Sequence, residues 1–151
     1  MSETIFDKIV SGAIPAYTVW EDESYMAFLT PFPNTPGFTV VIPKKNQGDY
    51  AFDLDRDQLQ GLMEASRTVA KLLEKAFDTP RVALVFEGTG VAYVHAKLIP
   101  LHGKLASETN VWSKHQEFNN DYVGYLTTVE GPKMSEDDLK EIQQKIRDAA
   151  N

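Results

Sequence analysis

Residues 93–102, YVHAKLIPLH, place a histidine inside a strand-like run in which apolar and polar side chains alternate. Successive side chains of a strand point to opposite faces of a sheet. The apolar face, which we expect to lie on the core, holds Val94, Ala96 and Leu98. The other face holds Tyr93, His95 and Lys97, about 6.6 Å apart along the strand. An imidazole between a phenol and a cation indicates a small anion site, and the alternative is a partly exposed sheet face without chemistry.

The segments around this strand predict a mostly antiparallel sheet. Strand-like runs cover residues 17–20, 25–29, 38–43 and 82–86. A long helix begins near Asp55, with Gln58 as the return partner of a capping box, and residues 78–80 end it. A short helix over residues 5–10 and another from about Ser135 to Ala149 complete the elements. Because no βαβ rhythm is present, we expect an α+β fold with about five strands, one long helix and a shorter C-terminal helix.

Composition excludes several classes of function. At 151 residues the chain suits a single domain over residues 1–151, and its net charge of −7 argues against a nucleic-acid polymer as ligand. The chain has no cysteine, which excludes disulfides and thiolate zinc sites. No apolar run is long enough to cross a membrane and the N-terminal residues do not resemble a secretory signal, so we expect a cytoplasmic protein.

The three histidines do not predict a metal cofactor. His95, His102 and His115 are separated by seven and thirteen residues, which matches no common metal motif. We therefore expect no metal and no other cofactor. His115 is interpreted as a surface loop residue.

A glycine-bearing loop, Glu87-Gly88-Thr89-Gly90, precedes the histidine strand. Glycines let backbone N–H groups approach an anion closely, and the Thr89 hydroxyl adds a donor. The pattern therefore favours a phosphate-binding loop beside His95. The alternative is an ordinary turn, since glycine pairs punctuate many connections.

Four segments carry a family resemblance. They are IFDKIVSGAIPA, VWEDESYMAFL, PNTPGFTVVIPKK and HAKLIP, and in this order and spacing the chain resembles the histidine triad (HIT) superfamily over about residues 4–103. The resemblance implies a HIT-like fold and a small nucleotide as ligand. It also implies that the middle histidine of a His-x-His-x-His strand attacks an α-phosphate and forms a nucleotidyl-histidine, which water or another acceptor resolves. The three triad positions of this chain are Tyr93, His95 and Lys97.

The resemblance assigns roles around the phosphate. His95 is the nucleophile, and the main-chain carbonyl of Tyr93 holds its other ring nitrogen as a donor. Lys97 contacts a phosphate oxygen, for which its charge and three donors are suited, unless it is a solvated strand residue. The loop residues implied to bind phosphate are Gly88, Thr89 and Gly90. His102 is a second candidate for a phosphate or proton-transfer role.

The nucleoside site is also implied by the resemblance. The positions that match the base slot are Ile5, Phe6, Ile9, Phe28 and Leu29. All are apolar, as a base slot requires, although the same residues also suit a small core cluster. Thr30 stands where the family usually has an acid on the ribose, and Phe38 stands where it has a histidine. Thr4 and Asp7 replace the zinc-binding cysteines of many bacterial members, so no structural zinc is implied.

Two classes of function follow. The first is a hydrolase or nucleotidyl transferase acting through His95 on nucleoside phosphoramidates, nucleotidyl adducts or dinucleoside polyphosphates. The second is a protein of the same fold that binds a nucleotide or a protein partner, its catalysis weakened by the loss of two triad histidines. In both cases the resemblance implies a homodimer in which two sheets join, with the long helix over residues 59–77 in the contact.

Overall fold

The computed structural model of the chain describes residues 3–110, 120–121 and 132–151. Its helices and strands follow in the order α1 (Ile5–Val10), β1 (Tyr17–Glu21), β2 (Tyr25–Leu29), β3 (Thr39–Pro43), α2 (Arg56–Phe77), β4 (Val82–Val85), β5 (Ala96–Pro100) and α3 (Glu136–Asp148). Two short 3-10 turns, which the sequence did not predict, lie at Ala51–Asp53 and Gly103–Ala106.

The five strands form one sheet in the order β1-β2-β3-β5-β4, and each neighbouring pair is antiparallel. Strands β1 to β3 form a meander, because β1 and β2 are each followed in sequence by the strand with which they pair antiparallel. The 22-residue helix α2 connects β3 to β4, at the far edge of the sheet. The α+β class with a mostly antiparallel sheet, one long helix and a shorter C-terminal helix is therefore confirmed.

Local capping sets the helix starts. The Asp55 carboxylate accepts from the Gln58 backbone N–H and the Gln58 side chain accepts from the Asp55 N–H, so the capping box predicted for α2 is confirmed. Thr4 and Asp7 form a second capping box on α1. Helix α2 ends at Asp78, which has a left-handed backbone conformation with φ 49°. The remaining helix, α3, begins after Ser135, whose hydroxyl caps it.

Each face of the sheet carries its own hydrophobic cluster. The larger cluster lies between the sheet and helices α2 and α3. It includes Ala27, Val41, Leu62, Val94, Ala96, Leu98 and Leu139. The predicted core side of the histidine segment is thereby confirmed. The smaller cluster lies on the opposite face and consists of Phe6, Phe28, Val40, Ile42 and Tyr93. Since Phe6 of α1 belongs to it and His95 is only 4% exposed, His95 is buried on this face, and the interpretation of its position as partly exposed is wrong.

The predicted strand boundaries differ from the observed ones by a few residues. The histidine strand begins at Ala96, so Tyr93 and His95 lie in the segment that leads into β5. Strand β3 begins at Thr39 and β4 ends at Val85, each one residue inside the predicted run. The reason is that the alternation of side chains continues beyond the residues whose backbone groups pair with a neighbouring strand.

Within the described residues, no helix combines the length and the apolar character that crossing a membrane requires.

Candidate active site

A cavity of about 640 Å³ lies beside His95. Its walls come from α1, from the sheet face opposite α2, from the loop after β4 and from the segment that leads into α3. This volume falls in the range of small-molecule sites, about 300–1,000 Å³. The cavity therefore has room for a ligand of nucleotide size next to the imidazole.

The backbone of Tyr93 determines the tautomer of His95. The Nδ1 atom of His95 lies 2.7 Å from the Tyr93 carbonyl oxygen, and a carbonyl only accepts. Nδ1 therefore carries the proton, and Nε2 keeps its lone pair. The Tyr93 phenol donates to the Pro43 carbonyl at 2.6 Å, which anchors the segment from the other side. Burial, assisted by the charge of Asp7, raises the pKa of the Tyr93 phenol to about 12, so this donor stays protonated.

His95 is held in its neutral form. Only 4% of the residue is exposed, and its ring meets the Phe6 ring edge-on at 5.4 Å between centroids. Burial lowers the pKa of His95, because it disfavours the charged imidazolium. The Tyr93 hydrogen bond and the Glu87 charge oppose this effect on the pKa, whereas the Lys97 charge adds to it. A neutral imidazole with a free Nε2 is the form required for nucleophilic attack.

Lys97 is neither solvated nor free. Its ammonium lies 2.8 Å from the Glu87 carboxylate, and the side chains of Lys97 and Glu87 are 15% and 10% exposed. The alternative of a solvated strand lysine is therefore wrong. Both residues line the cavity with His95. Sequence reasoning did not include Glu87 in the site, although strand parity offered a signal. Val85 pairs with Lys97 in the sheet, so Glu87, two residues on, returns to the same face.

The loop after β4 contributes unequally to the cavity. Thr89 and Gly90 line it, whereas Gly88 lies near Tyr50 and the Asp49 carbonyl and borders a second, much smaller cavity that His95 also lines. Both glycines have positive φ values, 71° at Gly88 and 90° at Gly90, which other residues rarely adopt. The structure thus places Thr89 and Gly90 on the large cavity and Gly88 on the small one, with His95 bordering both.

The apolar end of the cavity contains every residue expected to hold the nucleoside. These are Ile5, Phe6, Ile9, Phe28, Leu29 and Thr30, joined by Phe38. Phe6 and Phe28 are also mutually packed, 5.4 Å apart, in the smaller hydrophobic cluster. Phe6 and Phe28 therefore belong to a core cluster and also border the cavity. The Thr30 hydroxyl accepts from the Phe32 N–H at 3.2 Å.

A C-terminal wall of the cavity was missed by sequence reasoning. It consists of Lys133, Met134, Glu136 and Leu139. The Met134 N–H donates to the Pro31 carbonyl at 3.1 Å, which attaches this segment to the turn after β2. No local pattern predicts a contact between residues about a hundred positions apart, so this wall had no sequence signal.

His102 lies outside the cavity, which corrects its expected role. Its Nε2 atom is 2.9 Å from the Pro36 carbonyl, and its ring packs edge-on against Phe77. The physical reason is that His102 lies on the side of the sheet that α2 covers, where it meets Phe77, whereas His95 lies on the opposite face. His115 lies outside the described residues. Among the residues that the structure describes, no cluster of three or more metal-ligating side chains occurs.

Comparison with known proteins agrees with this geometry. The HIT domain family model matches residues 11–149. Protein hit of Bacillus subtilis is 31% identical over 117 residues, 75% of this chain and 81% of that protein. Adenylylsulfatase HINT1 of Arabidopsis thaliana is 34% identical over 87 residues, 58% of this chain and 52% of that protein. A crystal structure of a HIT-like protein from Bartonella henselae has a TM-score of 0.71 at 26% identity, covering 97% of this chain and 95% of that one.

Proposed function

Because this chain belongs to the HIT domain family, we propose that it is a nucleotide-binding hydrolase or nucleotidyl transferase with His95 as its nucleophile. The observation that carries the proposal is the 2.7 Å contact between Nδ1 of His95 and the Tyr93 carbonyl. It leaves Nε2 unprotonated inside a cavity of nucleotide size. The relative named adenylylsulfatase HINT1 supports an adenylyl or related nucleotidyl group as the part transferred.

The proposed reaction has two steps. The Nε2 atom forms a bond to the α-phosphorus while the bond from phosphorus to the leaving group breaks, and the leaving group departs with the electron pair of that bond and takes a proton from water. Water or another acceptor then attacks the phosphorus, and the bond to Nε2 breaks. Lys97 and the Thr89–Gly90 loop, which line the cavity, contact the phosphate oxygens during both steps.

The nucleoside binds at the apolar end. The base lies against Ile5, Phe6, Ile9, Phe28 and Leu29, and the Thr30 hydroxyl accepts from the ribose. The arrangement is supported by the fact that these residues line the same cavity as His95, Lys97 and Thr89. The substrate class proposed is a nucleoside phosphoramidate, a nucleotidyl adduct or a dinucleoside polyphosphate.

The test is a search for the covalent intermediate. The protein is incubated with adenosine and guanosine phosphoramidates and dinucleoside polyphosphates, quenched without acid, and weighed intact by mass spectrometry. A nucleotidyl mass on the parent protein that is absent from His95→Asn supports the proposal. His102→Asn is the matched control, because it removes an imidazole that lies outside the cavity. Turnover by His95→Asn at the parent's rate would rule out the covalent mechanism.

The second candidate is a protein that binds a nucleotide or a protein partner without turnover. The observation that favours it is the Lys97–Glu87 ion pair, since the third triad position holds a paired lysine in place of the histidine that the family has there. Tight nucleotide binding without product or adduct from any member of the panel would select this candidate.

The proposed assembly is a homodimer. Each chain is proposed to form a single domain, and the proposed location is the cytoplasm. Strand β4 is the last strand of the described sheet, and Leu84 on it is 38% exposed. Phe52, in the 3-10 turn before α2, and Met63, on α2, are also exposed apolar residues. Joining two sheets at the β4 edge would pair the free edge of that strand. Sedimentation that finds only a 16.9 kDa species at micromolar concentration would contradict the dimer.

A further inference from the structure

The charges of the lysines and glutamates that line the cavity sum to zero. In the described part of the chain these residues are two lysines, Lys97 and Lys133, and two glutamates, Glu87 and Glu136. His95 adds no charge, because burial keeps its imidazole neutral. The chain as a whole carries a net charge of −7. Sites for polyphosphates gather an excess of lysine and arginine donors, and this cavity does not.

The carboxylate at the phosphate end is Glu87. It is directed at Lys97, 2.8 Å away, and the exposed fractions of the two side chains are small enough for their charges to act through a weakly screening medium. A ligand phosphate next to His95 must therefore share the Lys97 ammonium with a group of its own sign. The ammonium has three hydrogens, so one phosphate oxygen can bind while Glu87 keeps its own bond. Each further negative charge of the ligand is repelled by the Glu87 carboxylate.

We propose that Glu87 is a specificity-determining residue, whose carboxylate holds Lys97 beside His95 and makes the cavity prefer ligands with a single negative charge at the nucleophile over polyphosphates. The inference rests on the proposed function, since it concerns a nucleotide in the same cavity. In this proposal the specificity comes from repulsion by the Glu87 carboxylate. Attractive contacts to one phosphate would not by themselves discriminate against ligands with more phosphates. The proposal also narrows the proposed substrates to nucleosides joined through one phosphate to their leaving group, and it disfavours dinucleoside polyphosphates.

A purely structural ion pair makes a different prediction. If Glu87 only attached the loop after β4 to β5, Glu87→Gln would weaken every ligand to a similar degree. If its charge sets specificity, the effect of the same substitution grows with the charge of the ligand. The dependence of affinity on ligand charge is therefore the informative measurement.

The experiment is a charge series measured by titration calorimetry at fixed salt without divalent cations. The ligands are adenosine and its mono-, di- and triphosphate, with the guanosine series in parallel. The proteins are the parent, Glu87→Gln, Lys97→Met and the double variant. The control is Glu64→Gln, which changes the net charge equally at an exposed ion pair on α2, away from the cavity.

The expected result is a reversal of preference. Glu87→Gln should bind the triphosphate about tenfold more tightly than the parent, a change of about 1.4 kcal/mol, and should bind the uncharged nucleoside equally. Lys97→Met should shift affinities in the opposite direction, and the double variant should return close to the parent. Equal shifts for all members of the series in Glu87→Gln, or the same shift in Glu64→Gln, would overturn the inference.

Two further outcomes have separate meanings. If Glu87→Gln does not fold, the comparison of Lys97→Met with the double variant carries the same test, and an unchanged discrimination against triphosphate overturns the role of Glu87. If neither the adenosine nor the guanosine series binds any folded protein, the proposed function itself fails and the inference falls with it. Binding by the parent with no dependence on Glu87 refutes the inference alone.

Discussion

Tyr93 allows the contribution of a side chain to be separated from that of its backbone. Tyr93→Phe removes the O–H that donates to the Pro43 carbonyl at 2.6 Å and leaves the Tyr93 carbonyl that holds Nδ1 of His95 at 2.7 Å. The phenol is fully buried, so the Pro43 carbonyl loses a donor that water does not replace. Such a loss costs about 1–3 kcal/mol of unfolding free energy. For a chain of this size that corresponds to a fall in Tm of roughly 2–12 °C.

The assay combines calorimetric unfolding with turnover measured well below the Tm. We expect Tyr93→Phe to lose stability and to keep turnover, because the carbonyl remains. The control is Tyr50→Phe, since Tyr50 is 52% exposed and its ring packs on Phe52, so its Tm should stay within about 1–2 °C of the parent. A Tyr93→Phe protein that is folded but as inactive as His95→Asn would refute the reasoning, because the phenol itself would then act on the substrate.

Three further predictions follow from the site and its supports. His95→Asn should abolish turnover and leave nucleotide affinity within a few fold, measured by calorimetry, since the lost group acts on the transition state. Because burial lowers the pKa of His95, the apparent pKa on the acid side of the kcat/KM profile should lie below the ordinary histidine value of 6.5. As pH falls, the His95 imidazole takes up a proton in the unfolded chain before it does so in the folded chain. The unfolding free energy should therefore decrease as pH falls below 6.5, and a His95→Asn protein should lack this part of the pH dependence. Asp55→Ala should cost about 0.5–2 kcal/mol by denaturant titration, because it removes the cap of α2.

Local chemistry explains why much of the fold was predictable. The capping box of Asp55 and Gln58 joins residues three positions apart, and the alternation around His95 reflects the geometry of a single extended segment. Interactions of this range depend on the residues within a few positions, so a single sequence contains the information. The resemblance to the HIT superfamily likewise predicted the fold, because its segments recur in order along this chain.

The character of the site depended on contacts between distant segments. The sequence placed His95 opposite the core residues, but only the packing of Phe6 from α1 shows that its face is buried. The two residues Glu87 and Lys97 meet because β4 and β5 are antiparallel neighbours.

What the sequence alone determined is the class of fold, the helix starts and the face of the segment leading into β5 that belongs to the core. The tertiary structure alone decided that Lys97 is paired, that His102 is turned away toward Pro36 and that residues 133–139 close the cavity. The physical reason is range. Capping and side-chain alternation are set within a few residues of the chain, whereas burial, ion pairing and the walls of a cavity arise when elements far apart in sequence pack together.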